Sequence, residues 1–483
     1  MRRKLNKIIS ILLITFVTLL VLPVFGIFAL GKFNPVINQT VQTEQLAAQA
    51  NAQQSYPIDA GTAVQAKAPP GYFDFKGRFL AVVSDVDILA SAYIDNQLGE
   101  RQPDMVDTLS IIPLNQGVEG LSTITLPVGN SVMAWPNNLA LTPDGNFAFV
   151  TETFGSAPKG AKLLSEIPQG RRLTVINLSN PKQPRIVDQL DLGNRPMAVA
   201  VHPDGNLLAV SLNEPGRQIA LIPFVNGKLG KPTFHNHPSI DDPKVLTPHL
   251  EWHPSGRFLG VTLPDVNQAV FYEVDRSNQD KPRLRQWGNP IMTGKHPGVG
   301  HFTTDGRYFI TTNLFWGEDV ENQFIGSDHG NLAVIQFAEK AYSQNEVRHQ
   351  IVSIAPVGGS PEEFAISPDN RFVVALNMEA SFLPWNDKRM DWYSSLTLLS
   401  LNPKTGRLTP HNTIPFEGIL PEGITFDASG NYLVVANFDH FNPARKGATV
   451  DFWRLLKGEV PMLVKMDVSV PVMRGAHIVK LVP

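Results

Sequence analysis

The chain has 483 residues, 43% apolar and 18% charged, enough to bury a large core. Its net charge of −3 provides no basic footprint for nucleic acid. With no cysteine, it has no disulfide framework, thiolate metal site, c-type haem or lipid-modified N-terminal Cys.

In chain order, Met1–Lys7 carries Arg2, Arg3, Lys4 and Lys7, and the uncharged stretch Ile8–Leu30 follows. A basic end before about 23 mostly apolar residues is enough to span a bilayer. Residues 1–31 therefore read as an uncleaved signal anchor or a cleaved signal peptide. Either way, the body is expected to be exported, periplasmic or otherwise extracytoplasmic, with membrane contact through residues 8–30. Residues 32–68 are rich in Gln, Ala, Asn and Thr and read as a flexible tether, or else as an extension packed on the body.

The remainder, 69–483, is built from one recurring hairpin. Pro136–Thr151 reads PNNLALTPDGNFAFVT: two apolar runs around an Asp-Gly turn, which Gly allows by taking positive φ at no steric cost. Similar stretches begin at Pro196, Pro248, Pro297, Pro361 and Pro421, with a weaker copy at Pro70. The turn positions Gly77, Gly145, Gly205, Gly256, Gly306, Asn370 and Gly430 recur every 50–68 residues. Two further strands follow each hairpin, such as Leu173–Leu178 and Arg185–Leu192. The expected fold is all-β: a seven-bladed β-propeller of four-stranded antiparallel blades. Ala476–Val482 is left over as a strand, expected to enter the first blade and close the ring. The alternative is that Gly71–Phe75 supplies that innermost strand.

The connections between second and third strands are long at Asp85–Val106, Glu152–Arg171, Asn313–Gly330, Asn377–Ser394 and Asn437–Gly447. These loops share one face, so a functional site is expected there, at the mouth of the central channel. Residues just after the leading Pro and just after the second strand are the candidates. The catalytic candidates are His249, Glu362 and Glu422, because a neutral His beside a carboxylate can act as a general base on water. The ligand-binding candidates are Asn137, Glu152, His301, Asn313, Asn377, Asn437 and, as an aromatic floor or partner anchor, Trp385. Such amides and carboxylates also satisfy loose backbone groups at strand ends. His202 and His253, before the tight turn, are expected to be structural. The stretch GEDVENQFIGSDH, with Glu318, Asp319, Glu321, Asp328 and His329, is acidic enough to consider calcium but lacks EF-hand spacing. No metal or other cofactor is expected.

The pattern P-x-x-Φ-x-Φ-x-P-D-G-x-Φ-Φ-Φ-V, where Φ is apolar, resembles YVTN-type propellers and the seven-bladed lactonase-like (6-phosphogluconolactonase-type) propellers. Thr247–Val274, TPHLEWHPSGRFLGVTLPDVNQAVFYEV, is similar to the lactonase blade in which Pro-His leads the inner strand. Asn313, Asn377 and Asn437 fall where YVTN repeats carry their closing Asn. Of the His, Glu and Arg that lactonase relatives place at the channel mouth, the resemblance carries over to His249. Two functions are expected from this reading. One is a module binding a small-molecule or protein ligand on its long-loop face; the other is a lactone hydrolase at the channel mouth.

Overall fold

The computed structural model describes residues 73–483 apart from 100–104, 115–116, 118–119, 134, 136, 238–244, 279–280, 318–328, 342–345 and 442–446. The expected signal segment, the tether, Gly71 and most of the acidic loop thus lie outside the described residues. Among the described residues, no helix is long and apolar enough to cross a membrane.

Seven antiparallel sheets of four or five strands form the body. Six of them take their strands in chain order, the innermost being Leu139–Leu141, Pro196–Val201, His249–Trp252, Pro297–Phe302, Pro361–Ile366 and Gly423–Phe426. The remaining blade begins with the C-terminal strand Ala476–Val482, which pairs with Phe79–Ser84 and is followed outward by Thr108–Pro113 and Ile124–Pro127. Each innermost strand packs against the innermost strand of the next blade, and Ala476–Val482 touches both the seventh and the second. The ring is closed, and the C-terminus closes it.

The local chemistry of the tight turn explains why the hairpin repeats. At Thr142–Phe147 the Asp144 carboxylate accepts from the Asn146 N–H (3.0 Å) and from Thr142 Oγ1 (2.6 Å), while Gly145 sits at φ +67°. His202 and His253 occupy the Thr142 position of their blades. Their Nε2 atoms lie 2.8 and 3.0 Å from the Gly256 and Gly306 carbonyl oxygens of the next blade's turn. These histidines join neighbouring blades, the structural role expected of them.

At the opposite end the chain returns from each outer strand to the next inner one. Here Arg195, His296, Ser360 and Leu420, each just before a proline, have φ of +46° to +53°. Residues before proline are normally held extended, and left-handed non-glycine residues cost on the order of 1–3 kcal/mol each. The strain is held by hydrogen bonds from the following strand end: Asn213 N to Arg195 O (3.0 Å), Leu314 N to His296 O (3.1 Å) and Met378 N to Ser360 O (3.1 Å).

The blades bury continuous apolar clusters between them, such as Leu80, Val82, Val434, Val450, Phe452 and Val479 between the last blade and the first. A separate cluster is made by the long loops themselves. It joins Ile88 and Ala92 of blade one, Ile167 of blade two, Leu314 and Trp316 of blade five, Phe382 and Leu383 of blade six, and Phe438 of blade seven. Blades two and five stand on opposite sides of a seven-membered ring, so this cluster crosses the axis.

Candidate functional site

The innermost strands keep one register around the ring. Opposite the third residue of each second strand stand Lys480, Ala140, Ala200, Glu251, His301, Ala365 and Thr425, from blades one to seven in turn. They form one layer of the channel. Three alanines clear space within it, and Glu251, His301, Thr425 and Lys480 remain only partly covered although the strands around them are buried.

His301 is the centre of the chemistry. Its Nδ1 lies 2.6 Å from Glu251 Oε2 and its Nε2 lies 2.8 Å from Glu363 Oε1. Both partners are carboxylates, so both nitrogens donate and the ring is an imidazolium. Burial alone would discharge it, but Glu363 and Glu251 together outweigh burial and hold it up to about 10. The Glu251 side chain is 31% exposed against 18% for His301 and 3% for Glu363, so the chain of three reaches water at Glu251.

His249, two residues before Glu251 on the same face of the strand, stands edge-on to His301 with ring centres 5.4 Å apart. Its Nε2 is hydrogen-bonded to the Gly300 carbonyl oxygen and its Nδ1 to the Asn137 amide. A carbonyl can only accept, so the proton is on Nε2; the Asn137 amide nitrogen can only donate, so Nδ1 accepts and the ring is neutral. Burial, together with the positive charges of His301 and Lys480, keeps it well below the ordinary histidine value.

Towards the long-loop end lies a second, acidic group. Glu362 is pushed up to about 8 by burial and by Glu363. Glu422 is raised well above the ordinary carboxylate value by burial and by Glu362, and its Oε1 lies 3.4 Å from the Tyr93 hydroxyl. Asp85, raised to about 6 chiefly by burial, accepts from the Val132 N–H at 3.0 Å.

The structure therefore brings together Asn137, His249, His301, Glu362 and Glu422 from the sequence-derived candidates. It does not bring the rest to them. Asn313, Asn377 and Asn437 are fully buried at their strand ends, where their amides bond Asn331, Ser395 and Thr397, and Asp451. Glu152 pairs with Arg172 inside blade two. Trp385 is 80% exposed on the blade-six loop. Glu251, Tyr93, Asp85 and Lys480 were not among the candidates. Only the alternation of His249 and Glu251 on one strand face hinted at the first of them.

On the long-loop face, loops from several blades pack on one another. Trp135, from the connection into blade two, reaches blade five: a Cβ on Gly298 would lie 2.8 Å from its Nε1. Its ring is 5.8 Å from His296, which is 6.2 Å from Trp316 of the loop cluster. Trp316, Phe382 and Phe438 thus serve the loops' own core above the acidic group. A separate cleft of about 270 Å³ on the seam of blades one and two, lined among others by Arg172, Ile186 and Gln189, holds none of the channel cluster.

His249, Glu251 and His301 also have donor atoms within 4.8 Å of one another, the one such set among the described residues spaced for a metal ion. Two ligands of a shared zinc sit about 3.3 Å apart. At 2.6 Å, Glu251 and His301 instead share a proton directly, and both His249 nitrogens are engaged.

These shifts set a pH dependence of stability. Glu362 and His301 bind their protons more tightly folded than unfolded. The stability they contribute is complete below their ordinary values of 4.5 and 6.5 and is lost as pH rises through about 8 and about 10. His237, His349 and His477, held neutral by burial at about 4, act oppositely. Their contribution is complete above 6.5 and is lost as pH falls through 4. The urea midpoint is expected to be highest between about pH 5 and 7 and to fall from pH 7 to 10. A midpoint that is level or rising over pH 7–10 would contradict this account of His301 and Glu362.

Comparison with known proteins agrees with the architecture. Residues 329–442 match the family model "Lactonase, 7-bladed beta-propeller". Among solved structures, a periplasmic gluconolactonase of Pseudomonas aeruginosa is 16% identical, with 84% of this chain and 99% of that chain covered and a TM-score of 0.55. A putative 6-phosphogluconolactonase from Bacteroides uniformis is 14% identical, with 84% and 100% covered and a TM-score of 0.55. One from Bacteroides fragilis is 12% identical, with 86% and 100% covered and a TM-score of 0.56. At such identities the likeness is one of fold. No curated protein matches the chain.

Proposed function

We propose that this lactonase-like seven-bladed propeller hydrolyses a small cyclic ester inside its central channel, at Glu251. The observation that carries the reading is the Glu251–His301–Glu363 chain, which reaches water at the partly exposed Glu251. The partial match to a lactonase family model supports the same class of chemistry.

In the proposed reaction, the free oxygen of Glu251 takes a proton from water as the water oxygen attacks the ester carbonyl carbon. His301, charged and bonded to the other carboxylate oxygen, fixes the position of Glu251. Glu363 fixes His301 in turn. When the tetrahedral intermediate collapses, the ring C–O bond breaks and the leaving alkoxide takes the proton from Glu251. The product is one hydroxy acid, and the carboxylate is restored. His249 is a positioning residue here, because both its nitrogens are engaged.

The test is hydrolysis of a panel of small lactones by the described body. Glu251→Gln is expected to lower kcat/KM about 10²–10⁴-fold, the range for loss of a general base. His249→Ala is expected to lower it less. If the wild type turns over no lactone faster than Glu251→Gln, the hydrolase reading is wrong. The second reading, a binding module, is favoured by Trp385 and Trp392, 80% and 62% exposed on the long-loop face. In that case a partner would be sought there.

Export belongs to this proposal. It is supported by the basic, then uncharged, N-terminal segment and by the periplasmic description of the P. aeruginosa structure. A reporter fused after residue 68 that is active only in the cytoplasm would remove it.

A further inference from the structure

Lys480 stands in the channel layer on the strand that closes the ring. Blade one lies three blades from blade four in one direction and three from blade five in the other, so Lys480 faces Glu251 and His301 across the channel. Its side chain is half-buried, in contrast to surface lysines such as Lys76 and Lys228, which are more than half exposed. Among the described residues its ammonium has no hydrogen bond and no carboxylate partner, and its charge is felt by His249. Its neighbours in the layer, Thr425 and Ala140, carry no charge. A half-buried ammonium with no protein partner is open to pairing with an anion that enters the channel. A chain that only needed to fill this position could do so with an uncharged residue.

The layer is therefore polarised. An unpaired cation stands on one side and a carboxylate-rich group, with one imidazolium between two glutamates, on the other. Ala140, Ala200 and Ala365 place only methyl groups in the rest of this layer. A ligand matching this layer has an acid group at one end, for the ammonium, and a hydrogen-bond donor at the other, for Glu251. We infer that Lys480 is the anion-holding residue of the channel, and that its ligand is a small hydroxycarboxylate seated with its acid end on Lys480 and its hydroxyl on Glu251. This rests on the channel being the ligand site, as in the proposal above, but not on hydrolysis taking place there.

The test compares binding of 4-hydroxybutyrate and 1,4-butanediol by calorimetry to the wild type, Lys480→Met and Lys480→Arg, with circular dichroism to check each fold. The two probes have the same chain length and hydroxyl and differ in the carboxylate. The wild type is expected to prefer the acid by about tenfold or more, the usual scale for one charge-assisted contact. Lys480→Met should erase the preference and Lys480→Arg should keep part of it. A general packing role for Lys480 would change affinity for both probes alike. Equal binding of acid and diol by the wild type, no binding of the acid, or a preference unchanged in Lys480→Met would each overturn the inference. The wild-type comparison decides even if Lys480→Met fails to fold. Lactone turnover is measured separately. If the acid preference is present and turnover absent, only the hydrolase reading is lost.

Discussion

Deletion of residues 476–483 is expected to abolish the folded ring. These residues form the innermost strand of blade one, with Ile478, Val479 and Val482 at 2% exposure or less. Each fully buried aliphatic side chain contributes about 1.5–3 kcal/mol, so three account for about 5–9 kcal/mol, a large part of a typical domain's 5–15 kcal/mol. The loss goes beyond area. His477 accepts from the Asn138 amide (3.0 Å) and donates to Gly475 O (2.8 Å), and Arg78 N bonds Val482 O (2.8 Å). Without the strand, Phe79–Ser84 becomes an unpaired apolar edge, a site for aggregation. The expected outcome is insoluble protein, or soluble protein without a cooperative thermal transition. A truncated protein that melts within a few degrees of the full chain would show that blade one does not need the C-terminal strand.

His301→Ala is the second large effect. Glu363 is buried, and His301 is the cation bonded to it; Glu251 also loses its fixed partner. Removing one member of a buried ion pair costs about 3–5 kcal/mol, because the other charge is left uncompensated. The variant should therefore be strongly destabilised at pH 7. The deficit relative to the wild type should shrink as pH rises through about 10, where wild-type His301 gives up its charge. Lactone turnover should fall with it, since Glu251 is no longer held. Measuring Tm of both proteins from about pH 7 to 11 separates this from a simple cavity. A cavity at His301 would cost the same at every pH, and that result would remove the ion chain from the account.

The difference between what could be read early and what could not follows the range of the interactions. The Asp144–Gly145 turn and its copies are set by contacts within six residues, so their spacing already implied seven hairpins. The apolar alternation placed the strands around them. Strand ends moved by a residue, as at Arg172–Asn177, expected at Leu173–Leu178, because pairing with the neighbouring strand sets where a strand stops. Asn313, Asn377 and Asn437 were visible as a repeating amide. Whether such an amide meets water, a ligand or a Ser/Thr neighbour depends on a strand paired to it from farther along the chain.

The sequence by itself thus determined the repeat and the blade number, because both rest on local turn chemistry and on period-two apolar patterning, whereas the choice of Ala476–Val482 over Gly71–Phe75 as the closing strand was made by pairing with Phe79–Ser84 from the far end of the chain. It also marked His249, His301, Glu362 and Glu422 as residues near one end of the channel. Only the tertiary structure decided which of them meet and on what terms. Glu251 and Lys480 are far apart in sequence and share a layer only because the ring closes in one register. Leu314, Phe382 and Phe438 share one cluster only because loops from different blades bury their apolar residues against each other. Burial, not spacing, turned Glu362 and Glu422 into protonated acids, and two carboxylates converging from neighbouring blades kept His301 charged.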